Sequence, residues 1–166
     1  MTGLPHDKCI ETVFRGLPDE QISLLAAETM EEDVLVITEI GGALYRGVFE
    51  GLHKLRENHD LFIVSNCQSR HIKKFLVQNE FEKLFKDHLC WGDNKKSKPF
   101  NTRTIVQRNK LINPDFVGDT EGDFERARNC ELDFIQVTYG FGSPIGSCKL
   151  ANSFSGLVFK ISGPAE

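Results

Sequence analysis

The chain has 166 residues, of which 40% are hydrophobic and 27% charged, and it carries a formal net charge of −4. That length suits one domain with a core of its own, and the composition excludes a disordered or fibrous chain. The acidic balance speaks against a broad surface for nucleic-acid backbone, the one basic knot being Lys95, Lys96 and Lys98.

Residues 1–43 read differently from the rest. Pro18-Asp19-Glu20-Gln21-Ile22 leads into Leu24, Leu25 and Ala26, with proline and acids suited to a helix start. Val34-Leu35-Val36-Ile37 is open between a buried strand and a helix, since four consecutive apolar, mostly β-branched residues suit both. From Leu44 the chain alternates amphipathic stretches with short apolar runs, the rhythm of a mostly parallel α/β sheet with flanking helices over residues 44–166. Val48, Leu52 and Leu55 form a helical stripe before the strand Leu61-Phe62-Ile63-Val64. A second stripe runs through Ile72, Phe75, Leu76, Phe81, Leu84 and Phe85 to a short apolar segment at Leu89-Cys90-Trp91. Ile105 and Val106 begin another helix, capped by Asn101 or Thr102, leading to a strand around Phe116-Val117. Phe124 to Cys130 reads as helix, Phe134-Ile135-Gln136-Val137 as strand and Leu157-Val158-Phe159 as a last short strand.

Ligands of open parallel sheets bind beyond the carboxyl ends of the strands, so polar residues that follow apolar runs carry the most weight. Ser65-Asn66 closes the run LFIVSN ahead of a helix, where a hydroxyl, an amide and helix-terminal N–H groups suit a phosphate; the plainer alternative is a helix cap. Lys98, in KKSKPFNTRTIV, offers a mobile point charge for a phosphoryl oxygen, or else is a solvated loop lysine. The run VGDTEGD is the strongest: Asp119, Glu121 and Asp123 place three carboxylates within five residues at a strand end. Such an acidic turn suits a hard cation such as Mg²⁺, and it outweighs the alternative of an exposed turn in which Asp123 helps a helix start.

Taken in order, Ser65 in IVSN, then Lys98, then Asp119 and Asp123 in VGDTEGD resemble the second, third and fourth motifs of haloacid dehalogenase (HAD) phosphatases. The likeness continues in LYRGVFEGLHKL and FIQVTYGFG, covers about Leu44 to Gly142, and is nearest to the phosphoglycolate-phosphatase-like branch. The resemblance implies a Rossmann-like core, here residues 44–166, with residues 1–43 as a partial helical cap. It implies that Ser65 and Asn66 bind the phosphoryl group, that Lys98 steadies it as substrate-binding and catalytic residue, and that Asp119, with Asp123 beside it, holds Mg²⁺. A small phosphorylated metabolite is the implied partner.

The family's first motif, a strand ending in D-x-D-G-T whose aspartates attack phosphorus and move the proton, has no counterpart, because the sequence holds no D-x-D. Ile37-Thr38-Glu39-Ile40-Gly41-Gly42 is its nearest likeness, without the carboxylates in place, so the chain reads as starting inside the cap. Strong phosphatase turnover is therefore not expected, and a non-catalytic phosphate-binding or protein-interaction module is the alternative. The family's missing strand is central, so either Val34 to Thr38 or a second chain, as homodimer or complementing partner, is expected to fill its slot.

Five scattered cysteines, none in a CxxC pair, fit reduced thiols in the cytoplasm, and none is given a role. His53, His59, His71 and His88 lack metal-ligand spacing. No apolar stretch reaches the ~20 residues of a bilayer span, so no membrane partner is expected.

Overall fold

The structure, a computed structural model, describes residues 3–163, and for Ile37 and Thr38 the backbone alone. Two helices come first, α1 (His6–Val13) and α2 (Asp19–Glu39), the second entered through Pro18. Val34 to Thr38 is thus helical. The β-branched run is absorbed into a helix of 21 residues, and it fills no slot in a sheet. His6 ties the helices together, one ring nitrogen 2.8 Å from the Thr29 hydroxyl and the other 3.1 Å from the Asp33 carboxylate.

The α/β part follows in the order α3 (Val48–Asn58), β1 (Leu61–Ser65), α4 (His71–Gln78), β2 (Phe85–Cys90), α5 (Trp91–Asn94), α6 (Lys98–Arg108), β3 (Asp115–Gly118), α7 (Glu121–Asn129), β4 (Asp133–Val137), β5 (Lys149–Ala151) and α8 (Phe154–Ser162). The strands at 61–65, 115–118 and 133–137 fall on the apolar runs of the sequence. Leu157-Val158-Phe159, expected as a strand, lies instead in α8. Ser153 caps that helix by accepting from the Gly156 N–H, and the edge position goes to the three-residue β5. The helix after β2 also begins earlier than expected: Ser97 caps it and Pro99 sits in its first turn, so neither Asn101 nor Thr102 is the cap.

The strands form two sheets. β1 pairs with β2, placing Ser65 opposite Cys90, and β3-β4-β5 form the other, all pairings parallel. Helix α6 fixes the sense of one sheet against the other. Its first residue, Lys98, reaches Asp123 just beyond β3, while Arg108 and Asn109 at its far end bond to Asp87 early in β2. α6 therefore runs against both β2 and β3, so all five strands point the same way and their carboxyl ends share one rim.

What joins the two sheets is helical. On one face Gly51 of α3 lies so close to α8 that a Cβ there would fall 2.4 Å from the Phe154 ring, and Phe154 packs into both core clusters. On the other face Thr102 and Ile105 of α6 are buried over β1 and β2. Between the sheets, among the described residues, the facing edges of β1 and β3 have no strand partner. The sequence leads one to expect that slot to be filled, and here no residue of α2 enters it. No helix among the described residues is long and apolar enough to cross a membrane.

Candidate functional site

The rim is built from strand ends inward. β3 ends at Gly118, which has to be glycine, since a Cβ there would lie 2.5 Å from that of Asp123. Thr120 then caps α7 in a reciprocal box: its hydroxyl accepts from the Asp123 N–H, and Asp123 Oδ2 takes the Thr120 hydroxyl at 2.8 Å. The other oxygen of Asp123 receives Lys98 Nζ at 2.7 Å and an Arg126 nitrogen at 3.4 Å. Asp123 is buried, which pushes its carboxyl up. The cations Lys98 and Arg126 and the Thr120 hydroxyl outweigh that and hold it below the usual carboxylate range. The same aspartate that starts the helix is thus the anchor of the lysine.

Asp119 is held differently. Its Oδ2 accepts the Phe141 N–H at 2.7 Å, and Gly140 and Gly142 permit the approach, because a Cβ at 142 would fall 1.9 Å from the Asp119 carbonyl oxygen. The fully buried Gln136 completes the clamp. Its amide donates to the Asp119 carbonyl at 3.0 Å and to the Ser143 carbonyl at 2.8 Å, and its oxygen accepts the Ile145 N–H at 2.7 Å. Asp119 Oδ1 takes no hydrogen bond from a described residue.

On the other half of the rim, the Ser65 hydroxyl accepts the Cys67 N–H at 3.1 Å and shares its own hydrogen with the Cys67 sulfur. Neither Ser65 nor Asn66 caps α4, whose cap position is Arg70. Asn66 donates to the Gly3 carbonyl, and the Trp91 indole donates to Asp7, so the N-terminal segment rests against this side of the rim. Cys67 lies close to Cys90: a hydrogen bond from that thiol, offset in part by burial, lowers Cys67 to about 7, while Cys90 is raised.

Lys98 and Asp123 are thus in direct contact, with Asp119 four residues before Asp123 in the chain and next to Thr120, which caps the helix. Ser65 ends β1 and Asn66 follows it, across the open slot, and no hydrogen bond joins either to Lys98, Asp119 or Asp123. The clamp residues Gln136, Gly140 and Gly142 lie in the stretch FIQVTYGFG but were given no role from the sequence, although a glutamine within an apolar strand and two glycines after it were the signal.

Mg²⁺ takes oxygen ligands and needs only one or two carboxylates beside water and phosphate. Asp119, with a free oxygen, fits one such position; Asp123, committed to Lys98, Arg126 and Thr120, fits as the lysine's counter-charge. Among the described residues no three of His, Cys, Asp and Glu gather closely enough to hold a metal by themselves.

Two parallel sheets flanked by helices, with their carboxyl ends on one rim, define an α/β domain of Rossmann-like type. The family model of haloacid dehalogenase-like hydrolases matches residues 3–137, and the chain belongs to that family. Among solved structures, a predicted phosphatase of Clostridium acetobutylicum superposes with a TM-score of 0.82 at 20% identity, over 98% of this chain and 79% of that one. A haloacid dehalogenase-like hydrolase of Streptococcus pneumoniae gives 0.76 at 17% identity, over 96% and 77%. A predicted phosphoglycolate phosphatase of Haemophilus somnus gives 0.76 at 20%, over 94% and 73%. At such identities the likeness establishes the fold. No curated protein matches the chain.

Proposed function

We propose that the rim binds the phosphoryl group of a small phosphorylated metabolite together with Mg²⁺, and that this chain holds such a group far better than it hydrolyses it. The observation that carries this reading is the pairing of Lys98 with buried Asp123 beside an Asp119 whose second oxygen is free. One donor of the Lys98 ammonium is spent on Asp123, and the other two can meet phosphoryl oxygens. Ser65 supplies a hydroxyl whose hydrogen would turn from the Cys67 sulfur to a phosphoryl oxygen, and Asn66 a second amide hydrogen beside the one given to Gly3. Mg²⁺, when bound at Asp119, would neutralise charge on the same oxygens.

Low turnover follows from the carboxylates. Transfer through an aspartyl intermediate needs an unengaged carboxylate to attack phosphorus. Asp123 has both oxygens occupied, Asp119 gives one oxygen to the Phe141 N–H and would give the other to Mg²⁺, and the sequence has no D-x-D. The five free thiols suit a reducing compartment such as the cytoplasm.

Calorimetric titration of inorganic phosphate, with and without Mg²⁺, tests the reading. Binding should tighten with Mg²⁺ and weaken at least about tenfold in Asp119→Asn and in Lys98→Met, each checked for native circular dichroism. Phosphate binding indifferent to both substitutions would remove the basis of the proposal. Rapid hydrolysis of p-nitrophenyl phosphate by the unaltered chain, lost in Asp119→Ala, would overturn the low-turnover part alone.

A further inference from the structure

The geometry points to Cys67 and Cys90 as a thiol pair that a hydroperoxide closes into a disulfide, joining the loop after β1 to the end of β2. The inference does not rest on phosphate binding at the rim.

The backbone presents the two sulfurs to each other. Ser65 and Cys90 are partners in adjacent parallel strands, and beyond Ser65 the chain turns so that the Cys67 carbonyl accepts the Gly92 N–H at 3.0 Å. The approach is close, since a Cβ at Gly92 would fall 1.8 Å from the Ser69 nitrogen. Beside it the buried Gln68 accepts Lys95 Nζ at 3.2 Å. Loop and strand end are thus clasped around the pair, and the Cys90 thiol, 3.1 Å from Asp93 Oδ2, shares its hydrogen with the Cys67 sulfur. Disulfides demand a narrow geometry, and thiols held in contact by a fixed backbone meet it with little movement of the chain.

The two thiols differ, and the difference assigns their roles. The Cys67 sulfur accepts hydrogen bonds from the Cys90 thiol, the Ser65 hydroxyl and the Ile72 N–H in the first turn of α4. Such donors favour the thiolate, which is the form that attacks a peroxide. The thiols outside the pair act as donors instead: Cys9 to the Leu4 carbonyl, Cys130 to that of Pro99 and Cys148 to that of Ile145. Those contacts favour the protonated, unreactive form. Cys67 is also half-buried and lines a cavity of about 370 Å³ together with Ser65, His71, Gly41 and Gly42. Cys90 is 2% exposed, so an oxidant in solution meets Cys67 first. An accessible thiolate with a second thiol beside it is the arrangement of peroxide-responsive cysteines.

The step balances. The Cys67 thiolate attacks one oxygen of hydrogen peroxide and the O–O bond breaks. The departing hydroxide takes up the proton Cys67 released, giving water and a sulfenic acid. The Cys90 proton passes to Asp93 Oδ2 as the Cys90 sulfur attacks that of Cys67. The S–O bond breaks and the hydroxyl leaves with this proton as a second water. Two thiols are oxidised to one disulfide, and the peroxide is reduced to water.

To test this, the full chain, reduced and freed of reductant, is treated with hydrogen peroxide, digested with trypsin and read by mass spectrometry. Peptides 57–70 and 87–95 should appear linked, and separate on adding dithiothreitol. In Cys90→Ser, dimedone should trap a sulfenic acid at Cys67. Thiol loss should slow at least about tenfold in Cys67→Ser. The linked peptides need no variant, so they decide the matter even where Cys90→Ser fails to fold. No linkage up to millimolar peroxide, thiol loss of equal rate in Cys67→Ser, or disulfides formed chiefly by Cys9, Cys130 or Cys148 would overturn the inference.

Discussion

The two half-sheets meet the same rim with different degrees of preparation. In the half carried by β3, β4 and β5, every polar group behind Asp119 is assigned: Gln136 clamps the loop, two glycines let the backbone close in, and a capping box locks Asp123 under Lys98. In the half carried by β1 and β2, Ser65 is bonded only to neighbouring Cys67 and Asn66 reaches out to the N-terminal segment. A site of this kind is therefore fixed in its charges and looser in its neutral donors. The difference follows from the position of Gln136 on β4, which is flanked on both sides, whereas among the described residues the inner edges of β1 and β3 alike have no strand partner.

The sharpest way to break the comparison is at Gln136. Gln136→Leu keeps bulk and apolarity but strands the Asp119 and Ser143 carbonyls and the Ile145 N–H, and should cost about 4 kcal/mol in urea unfolding at pH 7. A loss below about 1 kcal/mol would mean that the rigid half is no better fixed than the other. Lys98→Met comes next. It leaves Asp123 buried with Arg126 as its remaining cation and should cost about 2 kcal/mol. The pH dependence has a definite sign. The folded-state pKa of Asp123 is depressed, so its ion-pair contribution is present above the ordinary carboxylate value and disappears as pH falls through the folded one. The gap between wild type and Lys98→Met should therefore narrow in acid; a gap that stays constant to pH 2.5 would count against the pairing.

The smallest effect belongs to the looser half. With Cys67 lowered to about 7, its alkylation by iodoacetamide should rise around neutral pH, and Cys90→Ala should move that rise upward. An unchanged profile in the variant would show that the two thiols do not share a proton.

Much of the fold could be read from residues. The runs around Ile63, Val117 and Ile135 gave their strands because continuous apolar stretches bounded by polar turns suit strands covered on both faces. Leu157-Val158-Phe159 misled for the same reason, although Ser153 before it and Gly163 after it are a helix start and stop. Ser97 and Pro99 likewise marked where α6 begins, and attention to them would have put Lys98 in its first turn rather than in a loop. Val34 to Ile37 shows the limit of local propensity, since a helix already under way from Asp19 carries a β-branched run through. Within the candidate site, the ionic partners were visible as residue types. The clamp on Asp119 was not, because it depends on Gln136 and two glycines meeting a turn 17 residues or more earlier in the chain.

The Trp91 indole that donates to Asp7 has a practical side. It belongs to the chain's sole tryptophan, so emission from this protein comes chiefly from a chromophore lying between α1 and the rim. Any event that lifts α1 away from that neighbourhood would wet the ring and shift its spectrum to the red. The molecule thus carries a built-in optical gauge of whether its first helix is seated.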